Sequence, residues 1–425
     1  MVTSAEDDLP MIGVGVLAGP GVGVTTSIDG DYTIEVPAGT QLVFSSIGYQ
    51  DVTVIVPAGD VFVHNVVMQP ESMQLDDVVV IGYQAVKRRD LTGSVSSVTG
   101  NDIAKVIDTL QKLKEIGGPV LLHALTKKGK GYAPAEQNQT VWHAPGMFDP
   151  ETGERLKSDA GVSRYQDVFG HVLIELAKMN PKVVGITPAM ASGCGMNRFS
   201  EEMPERFFDV GIEEEHAVTF SAGLAAGGMK PFCNIYSSFS QRAYDQIIHD
   251  VALQDLPVVL CLDRGGLVGE DGATHHGCYD MAVYRTIPGA VIAVPADEVE
   301  LKDMMYTAMN LEHGPFIIRY PRGYGEGLAW KEHAFSEMEL GKGIRLLDGT
   351  DVAVIAAGPV AYRAVEAAKS LKEKLGWNPV VYNIRYIKPV DEELLREVAE
   401  RSSVVITVED GTVSGGLHGA VSEYM

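Results

Sequence analysis

The sequence predicts an α/β protein: a parallel-sheet domain, then a second α/β domain, which its family resemblance implies is truncated, with a small all-β sandwich in front of both. Three observations carry this. Residues 1 to 86 contain no lysine or arginine, the first basic residues being Lys87, Arg88 and Arg89, and such a shift in composition marks a boundary. Leu256-Pro257-Val258-Val259-Leu260-Cys261-Leu262 is an almost unbroken apolar run, as expected for a parallel strand covered on both faces. From about Leu340 strand and helix patterns alternate, which implies a parallel sheet.

In chain order, residues 1 to 70 alternate short β-rich runs with turns. Thr25 to Val36 and Pro37 to Gln50 carry Asp-Gly and Ala-Gly between alternating apolar residues, which are hairpin signals. Residues 71 to 99 hold Leu75-Asp76-Asp77-Val78-Val79-Val80-Ile81-Gly82-Tyr83 and then Lys87 to Val98. These stretches resemble the start of SusC-type, TonB-dependent outer-membrane transporters: a carboxypeptidase-regulatory-like domain, a TonB box offered by β-addition and the opening of a plug.

Residues 100 to 158 begin with a helical pattern, Ile103 to Leu110. An apolar strand into a basic turn follows, Val120 to Tyr132, and then the Pro/Gly linker Trp142 to Gly153. The parallel-sheet domain spans 159 to 330. Its acidic knot, Gly211-Ile212-Glu213-Glu214-Glu215-His216, sits where a strand should turn into a helix. Lys230 to Phe239 reads as a strand into a loop, and Gln241 to Ala252 as a helix. Gly269-Glu270-Asp271-Gly272-Ala273-Thr274-His275 is a polar loop past the end of its strand, where open α/β sheets place ligands. Ile317 to Gly323 closes the set. The last domain, 340 to 425, has strands at Asp351 to Gly358 and Pro379 to Ile384 around a helix from Tyr362 to Leu375.

From about residue 100 onward these motifs, in this order, resemble the 1-deoxy-D-xylulose-5-phosphate synthase family of thiamine-diphosphate enzymes. The resemblance implies a catalytic set. Glu214 would face the cofactor's aminopyrimidine and promote the tautomer shift that activates the thiazolium carbon. Tyr132, Tyr236 and Phe239 would bind the cofactor, and His275 and His143 would serve the chemistry. Arg242, Arg264 and Arg322 would hold the phosphate of glyceraldehyde 3-phosphate, with Tyr236, Asp271 and His275 on the substrate. It also implies pyruvate as the other substrate, a homodimer and a cytoplasmic location. The flanking acids Glu213 and Glu215 leave open which of the three faces the cofactor, since adjacent carboxylates raise one another's pKa.

The family's Gly-Asp-Gly motif, with its downstream asparagine, holds the magnesium that clamps the diphosphate, and it is absent from the sequence. Thiamine diphosphate and Mg2+ remain the implied cofactors, the metal ligands belonging to the missing domain and none to this chain. One half of the chain thus resembles a periplasm-facing protein and the other a cytoplasmic enzyme, so it reads as a chimaera joined near Gly100. Two alternatives stand beside the synthase: a transporter's N-terminal binding module, and the β subunit of a 2-oxoacid dehydrogenase, against which the linker argues.

The formal charge of −23 argues against a nucleic-acid partner. No stretch approaches a transmembrane span, and Met1 to Glu6 lacks a signal-peptide pattern. Cys194, Cys233, Cys261 and Cys278 have neither zinc nor disulfide spacing.

Overall fold

The computed structural model describes residues 1–5, 9–19, 22–46, 49–59, 61–69, 78–81, 84–87, 95–99, 103–116, 118–143, 145–155 and 161–425. The chain divides into two compact units, Met1–Trp142 and His143–Met425.

The first unit opens with a four-stranded antiparallel sheet of Val22–Thr25, Gly15–Gly19, Gln41–Ser45 and Val52–Ile55, in that spatial order. Beside it lies a parallel pair, Val2–Ser4 with Val66–Met68. Alternation puts Val16, Leu42 and Phe44 of the sheet, and Val2, Val66 and Met68 of the pair, into one shared core. Thr33 to Val36, read from sequence as β-rich, forms no strand.

In the segment read from sequence as a TonB box, Val78–Ile81 pairs antiparallel with Gln84–Lys87, while 75–77, 82 and 83 lie outside the described residues. So do 88–94 of the plug-like stretch and 100–102 at the join. On either side of that join, Val95–Thr99 pairs in parallel with Leu121–Leu125, with helix Ile103–Lys114 between them. No helix among the described residues is long and apolar enough to cross a membrane.

The second unit is built on a seven-stranded sheet. Its order is Phe207–Asp209, Val183–Thr187, Lys230–Tyr236, Val259–Gly265, Phe316–Pro321, Val291–Ala293 and Tyr386–Lys388. The first six run parallel, and every residue of central Val259–Gly265 is buried. The seventh strand belongs to the last domain and adds antiparallel to the edge at Val291–Ala293. That domain's own sheet orders Ile344–Leu347, Val380–Asn383, Ala353–Ala356 and Val405–Val408.

Helix Tyr165–Met179 buries Tyr165, Val168, Phe169, Gly170, Val172, Leu173, Ile174, Leu176 and Ala177, a broad apolar face built on the 3.6-residue period. Helix Glu298–Asn310 starts at Asp297, whose carboxylate accepts from the amides of Val299 and Glu300, satisfying two of its orphan donors. The stretch 241–252, read as one helix, is a 3-10 turn, a short α-turn and a π-helical segment at Ile247–Ala252. Ala243, Ile247 and Val251, four residues apart, all face the core.

Candidate active site

Glu214 opens helix Glu214–Ala226, just after strand Phe207–Asp209 turns at Gly211, whose φ of 80° suits glycine. Of the three adjacent acids Glu214 is the buried one, 2% exposed, while Glu213 is exposed and Glu215 half-buried. Its Oε1 accepts from Nη1 of Arg242 at 3.1 Å.

From there the side chains form a continuous row. The Arg242 guanidinium lies 5.0 Å from the centre of the Phe239 ring. Phe239 stacks against Tyr236 at 5.8 Å, and the His275 ring stands 5.0 Å from Phe239 and 6.2 Å from Tyr236. Arg264 covers the Tyr236 ring at 3.7 Å, a cation over an aromatic face. Arg264 Nε and Arg322 Nη1 then converge on the two oxygens of Asp271, at 2.9 and 3.2 Å. Arg242 therefore pairs with Glu214 and does not join the two arginines at Asp271.

Backbone geometry explains the row. Tyr236 ends one parallel strand, Arg264 lies near the end of the next, and Arg322 directly follows Phe316–Pro321, so all three sit at carboxyl ends. The pairing register with Phe316–Pro321 shifts between Leu262 and Gly265, and Arg264 adopts a φ of 65°, a conformation that non-glycine residues hold only under constraint. A bulge-like step of this kind re-aims a side chain. Close approach requires Gly193: a Cβ there would lie 1.7 Å from the Tyr236 hydroxyl. Tyr132 lies in the first unit, its ring edge-on to Trp142 at 4.9 Å, and His143 is exposed in the linker.

The sequence reading missed Asp263. It is fully buried, its Oδ1 accepting from Arg264 Nη1 at 3.1 Å and its Oδ2 without a hydrogen-bond partner among the described residues. Burial pushes its carboxyl up to about 7, against the pull of Arg264. Burial also raises the phenol of Tyr236 and the thiol of Cys194 beside it. A charged pair closing an otherwise apolar strand was the available signal. Arg319 and Asp280 were missed too, although both are buried and joined at 3.0 Å.

A buried carboxyl linked through Arg242 to a stacked aromatic pair fits the aminopyrimidine end of thiamine diphosphate, and the two guanidinium groups gathered on Asp271 at 2.9 and 3.2 Å are the kind of cation that grips a phosphate. For the diphosphate and its metal the fit fails: no group of three or more His, Cys, Asp or Glu among the described residues could hold a metal ion.

Comparison with known proteins matches residues 163–326 to the transketolase pyrimidine-binding domain, 341–425 to the transketolase C-terminal domain and 1–80 to a CarboxypepD_reg-like domain. The 1-deoxy-D-xylulose-5-phosphate synthase of Bacteroides thetaiotaomicron is 54% identical over 330 residues, covering 77% of this chain and 51% of that protein. That of Aquifex aeolicus is 47% identical over 330 residues, covering 78% and 52%. The chain thus spans about half the length of the curated relatives it matches. Among solved structures, a split-gene transketolase described as an inactive beta4 tetramer is 32% identical with a TM-score of 0.55, covering 61% of this chain and 83% of that one. A Pichia stipitis transketolase at 16% identity and TM-score 0.51, covering 76% and 61%, shares the fold.

Proposed function

The chain belongs to the thiamine-diphosphate-dependent transketolase family, and on that premise we propose that its second unit carries the pyrimidine and substrate half of a 1-deoxy-D-xylulose-5-phosphate synthase site. The observation that carries this reading is the unbroken row from Glu214 through Phe239, His275 and Tyr236 to Arg264, Asp271 and Arg322.

When bound, thiamine diphosphate supplies the carbon nucleophile that takes up pyruvate with loss of carbon dioxide. This chain's residues do the rest of the local work. Glu214, enclosed at the helix start, presents a carboxyl to the aminopyrimidine, while Tyr236 and Phe239 give that ring a flat apolar wall. Arg264 and Arg322 bind the phosphate of glyceraldehyde 3-phosphate bidentately, and Asp271 keeps the two guanidinium groups in register. His275, whose ring stands against Phe239 and Tyr236, moves the proton to and from the aldehyde oxygen. The diphosphate with its Mg2+ requires ligands that the described residues do not supply. Tyr132 and His143 as further contacts, a homodimer and a cytoplasmic location accompany the reading.

Calorimetry of the purified chain with glyceraldehyde 3-phosphate tests it. Binding should weaken at least tenfold in Arg264→Ala and in Arg322→Ala and stay unchanged in Arg198→Ala, which lies outside the row. Equal affinity in all four proteins would refute the assignment.

A further inference from the structure

Arg319 is fully buried and uses its whole guanidinium. Nε donates to Asp280 Oδ2 at 3.0 Å, Nη1 to Asp410 Oδ1 at 2.5 Å, and Nη2 to the Gly277 carbonyl at 3.3 Å and the Asp410 carbonyl at 3.4 Å. Arg319 and Asp280 lie in the parallel-sheet domain, Asp410 in the last one. Asp280 Oδ2 also accepts from the hydroxyl of Ser237 at 2.7 Å, the residue next to Tyr236.

What these groups surround is the neck of the loop carrying Asp271 and His275. Gly266 and Gly277 exchange backbone hydrogen bonds at 2.8 and 2.9 Å and so close that loop at its base. Glycine is needed all round: a Cβ would lie 2.5 Å from Arg319 Nε at Gly265, 2.0 Å from Asp410 Oδ2 at Gly266, and 2.3 Å from Ser237 Oγ at Gly277. Just beyond, Thr412 N donates to the carbonyl of Cys278 at 2.9 Å. A fully buried guanidinium is tolerable only when paired, and losing one partner leaves an uncompensated charge. The neck is therefore held by a carboxylate from another domain.

We propose that Arg319 and Asp410 are positioning residues: through them the C-terminal domain sets the loop 266–277, and with it Asp271 and His275, in the geometry that binds substrate. The proposal rests on reading the cleft as a phosphate-binding site, but the loop geometry is measured without a ligand. Another ion pair joins the same domains, Arg285 to Glu423 at 2.6 Å, with no contact to Arg319 or Asp410, and serves as the control for simple domain adhesion.

The experiment is hydrogen–deuterium exchange on the full chain, followed by calorimetry with glyceraldehyde 3-phosphate. In Asp410→Asn the amides of 266–277 should exchange on the order of tenfold faster and the affinity should fall by a similar factor. Glu423→Gln should leave both as in the wild type. Asp410→Glu, which keeps the charge on a longer arm, gives an intermediate loop and serves if the asparagine variant does not fold. Wild-type loop protection in the folded Asp410 variants, or the same loosening in Glu423→Gln, would overturn the proposal. Faster loop exchange in a chain whose wild type binds no glyceraldehyde 3-phosphate would uphold the positioning role and remove the substrate reading instead.

Discussion

The Glu214 carboxylate is enclosed in the protein while its partner Arg242, 3.1 Å away, has a half-exposed side chain. The acid is thus shielded from solvent yet compensated from the cleft side. Arg242→Ala would leave it buried and unpaired, and stranding a buried acceptor costs about 1–3 kcal/mol, a lower bound for a charged one. Thermal unfolding of the second unit should report a loss of at least that size. Arg198→Ala, which removes a surface pair with Glu202, should cost under about 1 kcal/mol. Equal losses would mean that the Glu214 pair is an ordinary surface contact.

Asp263 should give the fold a pH signature. Its carboxyl stands at about 7, against about 4 for a free aspartate. The folded chain therefore binds this proton more tightly than the unfolded one, and stability falls as pH rises from about 4 to 7. At about 1.4 kcal/mol per pKa unit, the loss is on the order of 4 kcal/mol. Asp263→Asn lacks this titration, so its stability relative to the wild type should climb across that window and level off above it. A difference independent of pH would show that Asp263 is ionised throughout.

Gly193→Ala should close the cleft. The added methyl would lie 1.7 Å from the Tyr236 hydroxyl, so the ring and the Arg264 stacked on it must move. Overpacking of this kind costs about 1–3 kcal/mol, and affinity for glyceraldehyde 3-phosphate should drop at least tenfold. Wild-type affinity would place the ligand elsewhere.

Much of this was legible in the sequence. The apolar run ending in Asp263-Arg264 is the buried central strand, and the polar loop after it lies at the strand's carboxyl end, because both follow from which residues a covered parallel strand tolerates. The choice among Glu213, Glu214 and Glu215 was not legible: burial depends on which way the first helical turn faces, and Gly211 sets that through backbone conformation. Nor was the pairing of Arg242 with Glu214, which needs the aromatic row between them and Arg264. Arg319 was hidden by its neighbours, since one arginine in an apolar strand looks like a surface residue until Asp410, far along the chain, is seen to meet it.

The purified chain alone, given pyruvate, glyceraldehyde 3-phosphate, Mg2+ and thiamine diphosphate, should show no formation of 1-deoxyxylulose 5-phosphate in a coupled assay. Without ligands for the metal and diphosphate, positioning and electrostatic support are both lost. Turnover in the wild-type chain that vanishes in Glu214→Ala would show that the cofactor is held without them.

The central claim is that the described residues hold the aminopyrimidine half of the cofactor site and not the diphosphate half. Calorimetric titration with 4-amino-5-aminomethyl-2-methylpyrimidine, beside thiamine diphosphate with and without Mg2+, tests it most directly. The account predicts binding of the pyrimidine fragment that Glu214→Ala abolishes, and thiamine diphosphate binding no tighter with the metal than without it. A fragment that binds equally well to Glu214→Ala, or a marked Mg2+-dependent gain in affinity for thiamine diphosphate, would contradict it.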